Sequence, residues 1–126
     1  MKNDPLRILV AEDSPTARRL LVEILRADPG LTVVGEAKDG VEAVELAQRL
    51  RPSLVTMDIQ MPRMDGLEAT RRIREELPPK VQPWVIAMTA NAMDSDREQC
   101  FAAGMDDFLG KPIRVEALTA ALLRCQ

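Results

Sequence analysis

Three carboxylates and one lysine stand where apolar runs end. Glu12 and Asp13 follow Ile8-Leu9-Val10-Ala11, Asp58 closes Leu54-Val55-Thr56-Met57, and Lys111 comes just after Phe108-Leu109. Runs of this kind are the signature of strands buried on both faces of a parallel sheet. The carboxyl ends of such strands share one rim, and ligands bind there. Side chains far apart in the chain are therefore expected on one edge. Acids packed together repel, and a divalent cation is the usual relief. An adjacent lysine points to an anionic visitor such as a phosphoryl group. Thr89, after Val85-Ile86-Ala87-Met88, falls at the same rim. Each residue also has an ordinary role: the acid pair before a helix, Thr89 as an N-cap, Lys111 as a solvated turn residue. Their joint placement at strand ends is what argues for a site.

The elements that must position them alternate strand and helix. Strands are predicted at Leu6–Ala11, Leu31–Glu36, Leu54–Asp58, Trp84–Met88 and Met105–Leu109. The first helix opens with Ser14 as N-cap and Pro15 at its first position, carries Ala17, Leu20, Leu21, Ile24 and Leu25 as an apolar stripe, and stops at Asp28-Pro29-Gly30. A second helix follows Asp39-Gly40, with Ala43, Ala47 and Leu50 on one face, and ends at Pro52. The third spans Leu67–Leu77. The fourth spans Met93–Ala103 and is closed by Gly104 as a left-handed cap. The last follows Lys111-Pro112 and turns Val115, Leu118, Ala121 and Leu122 inward. Alternation throughout implies an α/β fold with a parallel sheet covered on both faces.

Composition bounds the function. The chain has 126 residues, the size of one domain, and the reading is a single domain over residues 1–126. Hydrophobic residues make up 46%, which argues against disorder. A net charge of −3 with scattered basic residues gives no strong pull on nucleic acid. No apolar stretch reaches membrane-spanning length and no signal-peptide pattern opens the chain, so a cytoplasmic location without membrane insertion is expected. Cys100 and Cys125 read as buried reduced thiols. With no histidine present, imidazole chemistry must come from a partner.

The stretches Ile8–Ser14, Met57–Gly66, Ala87–Ala92 and Phe108–Ile113 carry a family resemblance. Across essentially the whole chain the sequence resembles the receiver domain of two-component response regulators, chemotaxis-type regulators among them, and it is also similar to receivers of hybrid histidine kinases. The resemblance implies a doubly wound, flavodoxin-like sheet of five parallel strands in the order 2-1-3-4-5. It also implies a phosphorylation-activated switch, serving two-component signalling or a phosphorelay. Asp58 takes the phosphoryl group from a phosphohistidine of a histidine kinase or histidine phosphotransfer protein. Asp13, Asp58 and the backbone carbonyl of Gln60 bind Mg²⁺ directly, with Glu12 acting on the metal through a water. Lys111 and Thr89 contact the phosphoryl group. Thr89 and Phe108 form the switch, Phe108 rotating into space that Thr89 vacates. The face of the fourth helix, fifth strand and fifth helix then docks a downstream protein, and a dimer on activation uses the same face. Gln60 and Asn91 tune hydrolysis. The protein so implied catalyses its own phosphorylation and dephosphorylation but is primarily a signalling protein. Lys111-Pro112 is expected to be a cis peptide. Glu12 departs from the more frequent aspartate, and Phe108 lacks the hydroxyl of the tyrosine also common there.

Three other classes compete. A flavin-binding domain needs a phosphate-cradling loop after the first strand, where Glu12-Asp13-Ser14-Pro15 would repel a phosphate. A dehalogenase-type phosphatase wants an acid two residues after the nucleophile, where Gln60 stands. A pseudo-receiver would not keep the acids, threonine and lysine. Both a stand-alone regulator and a piece of a hybrid kinase or larger regulator fit the sequence, since the chain ends within the fifth helix.

Overall fold

Strand alternation decides which side of the sheet each residue serves. The computed structural model describes residues 5–90, 94–111 and 113–124, without the side chains of 94–96. Asn91, Met93, Cys125 and the expected cis Lys111-Pro112 peptide thus lie outside the described residues. Strands β1 (Leu6–Ala11), β2 (Leu31–Ala37), β3 (Leu54–Asp58), β4 (Trp84–Thr89) and β5 (Asp107–Gly110) alternate with helices α1 (Pro15–Arg26), α2 (Gly40–Leu50), α3 (Gly66–Glu76), α4 (Asp94–Ala102) and α5 (Val115–Arg124). All strand pairs are parallel, in the order β2-β1-β3-β4-β5. The expected strand order is therefore the observed one.

Two cores result. Ile8, Val10, Leu54, Ile86, Met88 and Leu109 pack against α1 and α5. Their chain neighbours Leu9, Ala11, Val55, Met57, Val85 and Ala87 pack against α2, α3 and α4. A residue's neighbour in a strand points to the opposite face, so each strand supplies both cores. Continued to the rim, this alternation assigns Glu12, Asp58 and Lys111 to the α1/α5 side, and Thr89 and Phe108 to the other.

Helix starts are set by side-chain caps. The Ser14 hydroxyl accepts from the Ala17 N–H at 3.3 Å, Asp39 from the Glu42 N–H at 2.8 Å, and Asp65 from the Glu68 N–H at 2.8 Å. Each cap satisfies a backbone donor that has no partner inside the helix.

Several boundaries and faces differ from expectation. Thr89 is the last residue of β4, not the residue after it. β5 begins at Asp107 rather than Met105, because the preceding segment is committed elsewhere. The Arg74 guanidinium donates to the Gly104 carbonyl at 2.8 Å and to Asp106 at 2.8 Å, and Asp106 in turn accepts from the Val85 N–H at 2.8 Å. The Gly104 carbonyl and the Asp106 side chain are thus tied to α3 and β4 just ahead of the strand. On α1 the buried residues are Leu21, Val22 and Leu25, while Leu20 is 58% exposed. On α5, Val115 is 54% exposed rather than inward. Leu20 instead lines a surface groove of about 250 Å³ with Ala17, Ile24 and Ile113, beside Glu12 and Lys111. Cys100 is buried, as expected.

Candidate functional site

The rim gathers the predicted residues from four strands. Glu12 and Asp13 leave β1, Asp58 ends β3, Thr89 ends β4 and Lys111 follows β5. Glu12, Asp58 and Thr89 are buried, and Asp13 is exposed. Carboxylate oxygens of Glu12, Asp13 and Asp58 all lie within 4.8 Å of one another. Their donor set is oxygen only and open on the Asp13 side, which suits a hard divalent cation that keeps part of its water shell.

Lys111 spans the two buried acids. Its Nζ donates to Glu12 Oε1 at 2.8 Å and stands 3.2 Å from Asp58 Oδ1. The other Glu12 oxygen accepts from the Ser14 N–H at 3.1 Å. Asp58 Oδ1 also accepts from the Gln60 N–H at 3.3 Å. The loop start and strand ends are pinned by backbone bonds: Glu12 N–H to the Ala37 carbonyl at 2.9 Å, Ile59 N–H to the Met88 carbonyl at 3.1 Å, and Lys111 N–H to the Thr89 carbonyl at 2.7 Å. Burial strips water from the charges, so each must find a partner or a proton.

The electrostatics follow from that crowding. Burial raises the Asp58 carboxyl first; the hydrogen-bonded, negative Glu12 raises it further and Asp13 adds to the effect. Lys111 opposes them without prevailing, and Asp58 is pushed up to about 7. Partial burial works against the Lys111 ammonium, but Glu12 and Asp58 outweigh it and hold it above its ordinary value.

A pH dependence of stability follows. An unfolded aspartate titrates near about 3.9. Between that pH and about 7, folded Asp58 keeps a proton that the unfolded chain has lost. Its contribution is therefore full below about pH 4 and declines as pH rises through the folded value. Without divalent cation, Asp58→Asn should lose this part of the decline and gain about 1–2 kcal/mol over the wild type at pH 8, a figure reduced for solvent screening at an open rim. Urea titrations at pH 5 and pH 8 check it. Parallel profiles for the two proteins contradict the assignment.

Sequence reasoning missed the residues that hold this site in shape. Arg18 of α1 donates to the Glu12 main-chain carbonyl at 2.8 Å and bridges to Glu36 at 3.4 Å. The loop after Asp58 is clamped at three points. Gly66 N–H donates to the Ile59 carbonyl at 2.8 Å. A Cβ on Gly40 would lie 2.0 Å from the Met64 carbonyl oxygen, so only glycine lets α2 approach. Arg63, at a left-handed φ of 64°, donates through Nε to Asp39 at 2.9 Å and pairs through Nη2 at 2.8 Å. Burial disfavours the Asp39 charge, yet the Glu42 N–H and the Arg63 guanidinium together hold its carboxyl below the usual range. The available signal was the repeated Asp-Gly at 39–40 and 65–66, each an N-cap followed by a position without room for a side chain.

Comparison with known proteins agrees with this geometry. The family description "response regulator receiver domain" matches residues 8–123. A protein-glutamate methylesterase/protein-glutamine glutaminase of Myxococcus xanthus is 70% identical over 118 residues, covering 93% of this chain and 33% of that protein. The chain thus spans about a third of that relative's length. Among solved structures, the response regulator domain of Thermotoga maritima CheB superposes with a TM-score of 0.82 at 35% identity, covering 95% of this chain and 92% of that one. The receiver domain of a Pseudomonas aeruginosa sensor histidine kinase, with a magnesium ion coordinated in its active-site cleft, gives a TM-score of 0.84 at 38% identity, covering 95% and 96%. Among the described residues, no helix is long and apolar enough to cross a membrane. With the match running from β1 into α5, the chain belongs to the response regulator receiver domains, the phosphorylation-activated switches of two-component signalling.

Proposed function

We propose that Asp58 is the phosphoacceptor of this receiver and that Glu12, Asp13 and Asp58, with the Gln60 carbonyl, form its Mg²⁺ site. The observation that carries this reading is the cluster of three carboxylates within 4.8 Å, with Lys111 bonded to two of them. A carboxylate oxygen of Asp58 attacks the phosphorus of a phosphohistidine; the P–N bond breaks, its electron pair returns to the imidazole, and an acyl phosphate remains. Bound Mg²⁺ supplies positive charge to the phosphoryl oxygens. Lys111 neutralises a further oxygen, and Thr89 donates its hydroxyl to the attached group. The chain has no histidine, so the donor imidazole belongs to a kinase or phosphotransfer partner.

Output follows from what the new charge attracts. Thr89 and Phe108 lie on the same sheet face, with Phe108 opposite Ala87 and Thr89 opposite Gly110 in the β4–β5 register. Movement of Thr89 toward the phosphoryl group opens space that the Phe108 ring enters, which reshapes the surface of α4, β5 and α5. Gln60 and Asn91 tune the lifetime of the acyl phosphate. The 70% identity to the M. xanthus methylesterase supports control of a protein-glutamate methylesterase as the output.

Incubation with Mg²⁺ and a small acyl phosphate, followed by intact mass, tests the core of the reading. One added phosphoryl group that requires Mg²⁺ is expected, and no addition overturns it. Lys111→Ala and Thr89→Ala should leave folding largely intact while uncoupling modification from output. Each should weaken the difference in partner affinity between phosphorylated and unmodified forms by about tenfold, equivalent to about 1.4 kcal/mol for a lost charge-assisted contact. Titration against the methylesterase domain of the M. xanthus relative measures this, and a wild-type difference in either variant removes that residue from the switch.

A further inference from the structure

The Phe108 ring is gripped by one helix. From α4, the guanidinium carbon of Arg97 stands 5.0 Å from the ring centroid. Phe101, four residues further along α4, meets the same ring edge-on, with centroids 6.5 Å apart and planes at 81°. Positions four apart share a helix face, so α4 presents cation and aromatic edge together. Both geometries are attractive. The two acids that line the same cleft are already engaged: Asp106 pairs with Arg74 at 2.8 Å and Asp107 with Arg124 at 2.6 Å. Among the described residues, the guanidinium of Arg97 makes no ion pair, and the ring is what it faces.

We propose that Arg97 is a positioning residue for Phe108, holding the resting ring beside α4 and so setting how much of the unmodified protein stands ready for phosphorylation. This rests on the reading of Phe108 as the ring that moves. The Arg97 contact belongs to the resting arrangement; a ring that enters the space left by Thr89 gives it up. Removing an attraction present in one state only shifts the balance toward the other by the factor that the attraction contributed. For a cation over a partly exposed ring, that factor is about 2- to 5-fold.

The chain has two phenylalanines and no tyrosine, so 4-fluorophenylalanine labelling gives two fluorine resonances, assigned with Phe108→Leu. The first measurement adds Mg²⁺ and beryllofluoride to the labelled wild type. The Phe108 resonance should move; a stationary resonance removes the moving-ring reading and this inference with it. The second compares phosphorylation rates with a small acyl phosphate. Arg97→Ala and Arg97→Met should react about 2- to 5-fold faster than wild type, with Arg97→Lys between them. In a Phe108→Leu background the same substitutions should change nothing, which separates the ring contact from the general effect of one fewer positive charge. Unchanged rates beside a moving ring, or an acceleration that survives in Phe108→Leu, overturn the role of Arg97 and leave that of Phe108 intact.

Discussion

Asp58→Asn should take up no phosphoryl group from any acyl phosphate or phosphohistidine donor. The amide keeps the shape of the carboxyl group but loses the anionic oxygen proposed to attack phosphorus. Its two neighbours do not stand in for it. Glu12 is held by Lys111 at 2.8 Å and by the Ser14 N–H at 3.1 Å, so both of its oxygens are engaged. Asp13 is exposed and is assigned to the cation. The variant should also fold at least as well as wild type at pH 8, since a neutral side chain relieves the carboxylate crowding that pushes Asp58 up to about 7. Loss of phosphorylation together with retained or increased stability is a combination that general damage to the fold cannot produce. Intact mass and peptide mapping after incubation decide the matter. Phosphate found on Glu12 or Asp13 in the variant would show that the nucleophile was assigned to the wrong carboxylate.

Gly66→Ala should have a large structural effect, and it should act on the same site. A Cβ at residue 66 would lie 2.2 Å from the Asp58 carbonyl oxygen and 2.9 Å from Met57 Cγ. The nearest atom is backbone of the proposed phosphoacceptor, so no side-chain rotation relieves the clash. Either the start of α3 or the end of β3 must shift. An overpacked position of this kind costs about 3 kcal/mol, a large part of the 5–15 kcal/mol that is typical of a domain. The displacement reaches Asp58 and the Ile59 carbonyl, which accepts from the Gly66 N–H at 2.8 Å. Phosphorylation should therefore slow by at least tenfold, corresponding to about 1.4 kcal/mol of barrier, even where the variant remains folded. Urea denaturation and the rate of phosphoryl uptake measure the two effects. A variant with wild-type values in both would mean that the close packing of α3 on Asp58 is dispensable.

Much of the fold was legible because strands and caps are written locally. Ile8-Leu9-Val10 and Val85-Ile86-Ala87 announce buried strands, and Ser14-Pro15 and Asp39-Gly40 announce helix starts. Faces of the outer helices were less legible. Leu20 and Leu21 are both apolar, and periodicity accepts either as inward; only the packing of α1 on Ile8 and Val10 turns Leu21, Val22 and Leu25 in and leaves Leu20 on the groove. Val115, at the first position of α5, is likewise exposed rather than inward. The start of β5 escaped prediction because Arg74, 32 residues before Asp106, takes up that residue's side chain just ahead of the strand.

What this chain's sequence determined unaided is which residue types end its strands, and therefore which chemistry its rim can support. Alternation and capping act between chain neighbours, and these relations survive in any fold the segment joins. What only the tertiary structure decided is how those residues meet. Lys111 reaches Glu12 across 99 positions, Arg63 closes on Asp39 across 24, and α4 lays Arg97 over Phe108. Such pairings depend on the packing of whole helices and on burial that removes competing water. The strength and direction of a charge's effect are set by that burial, and no reading of neighbours along the chain contains it.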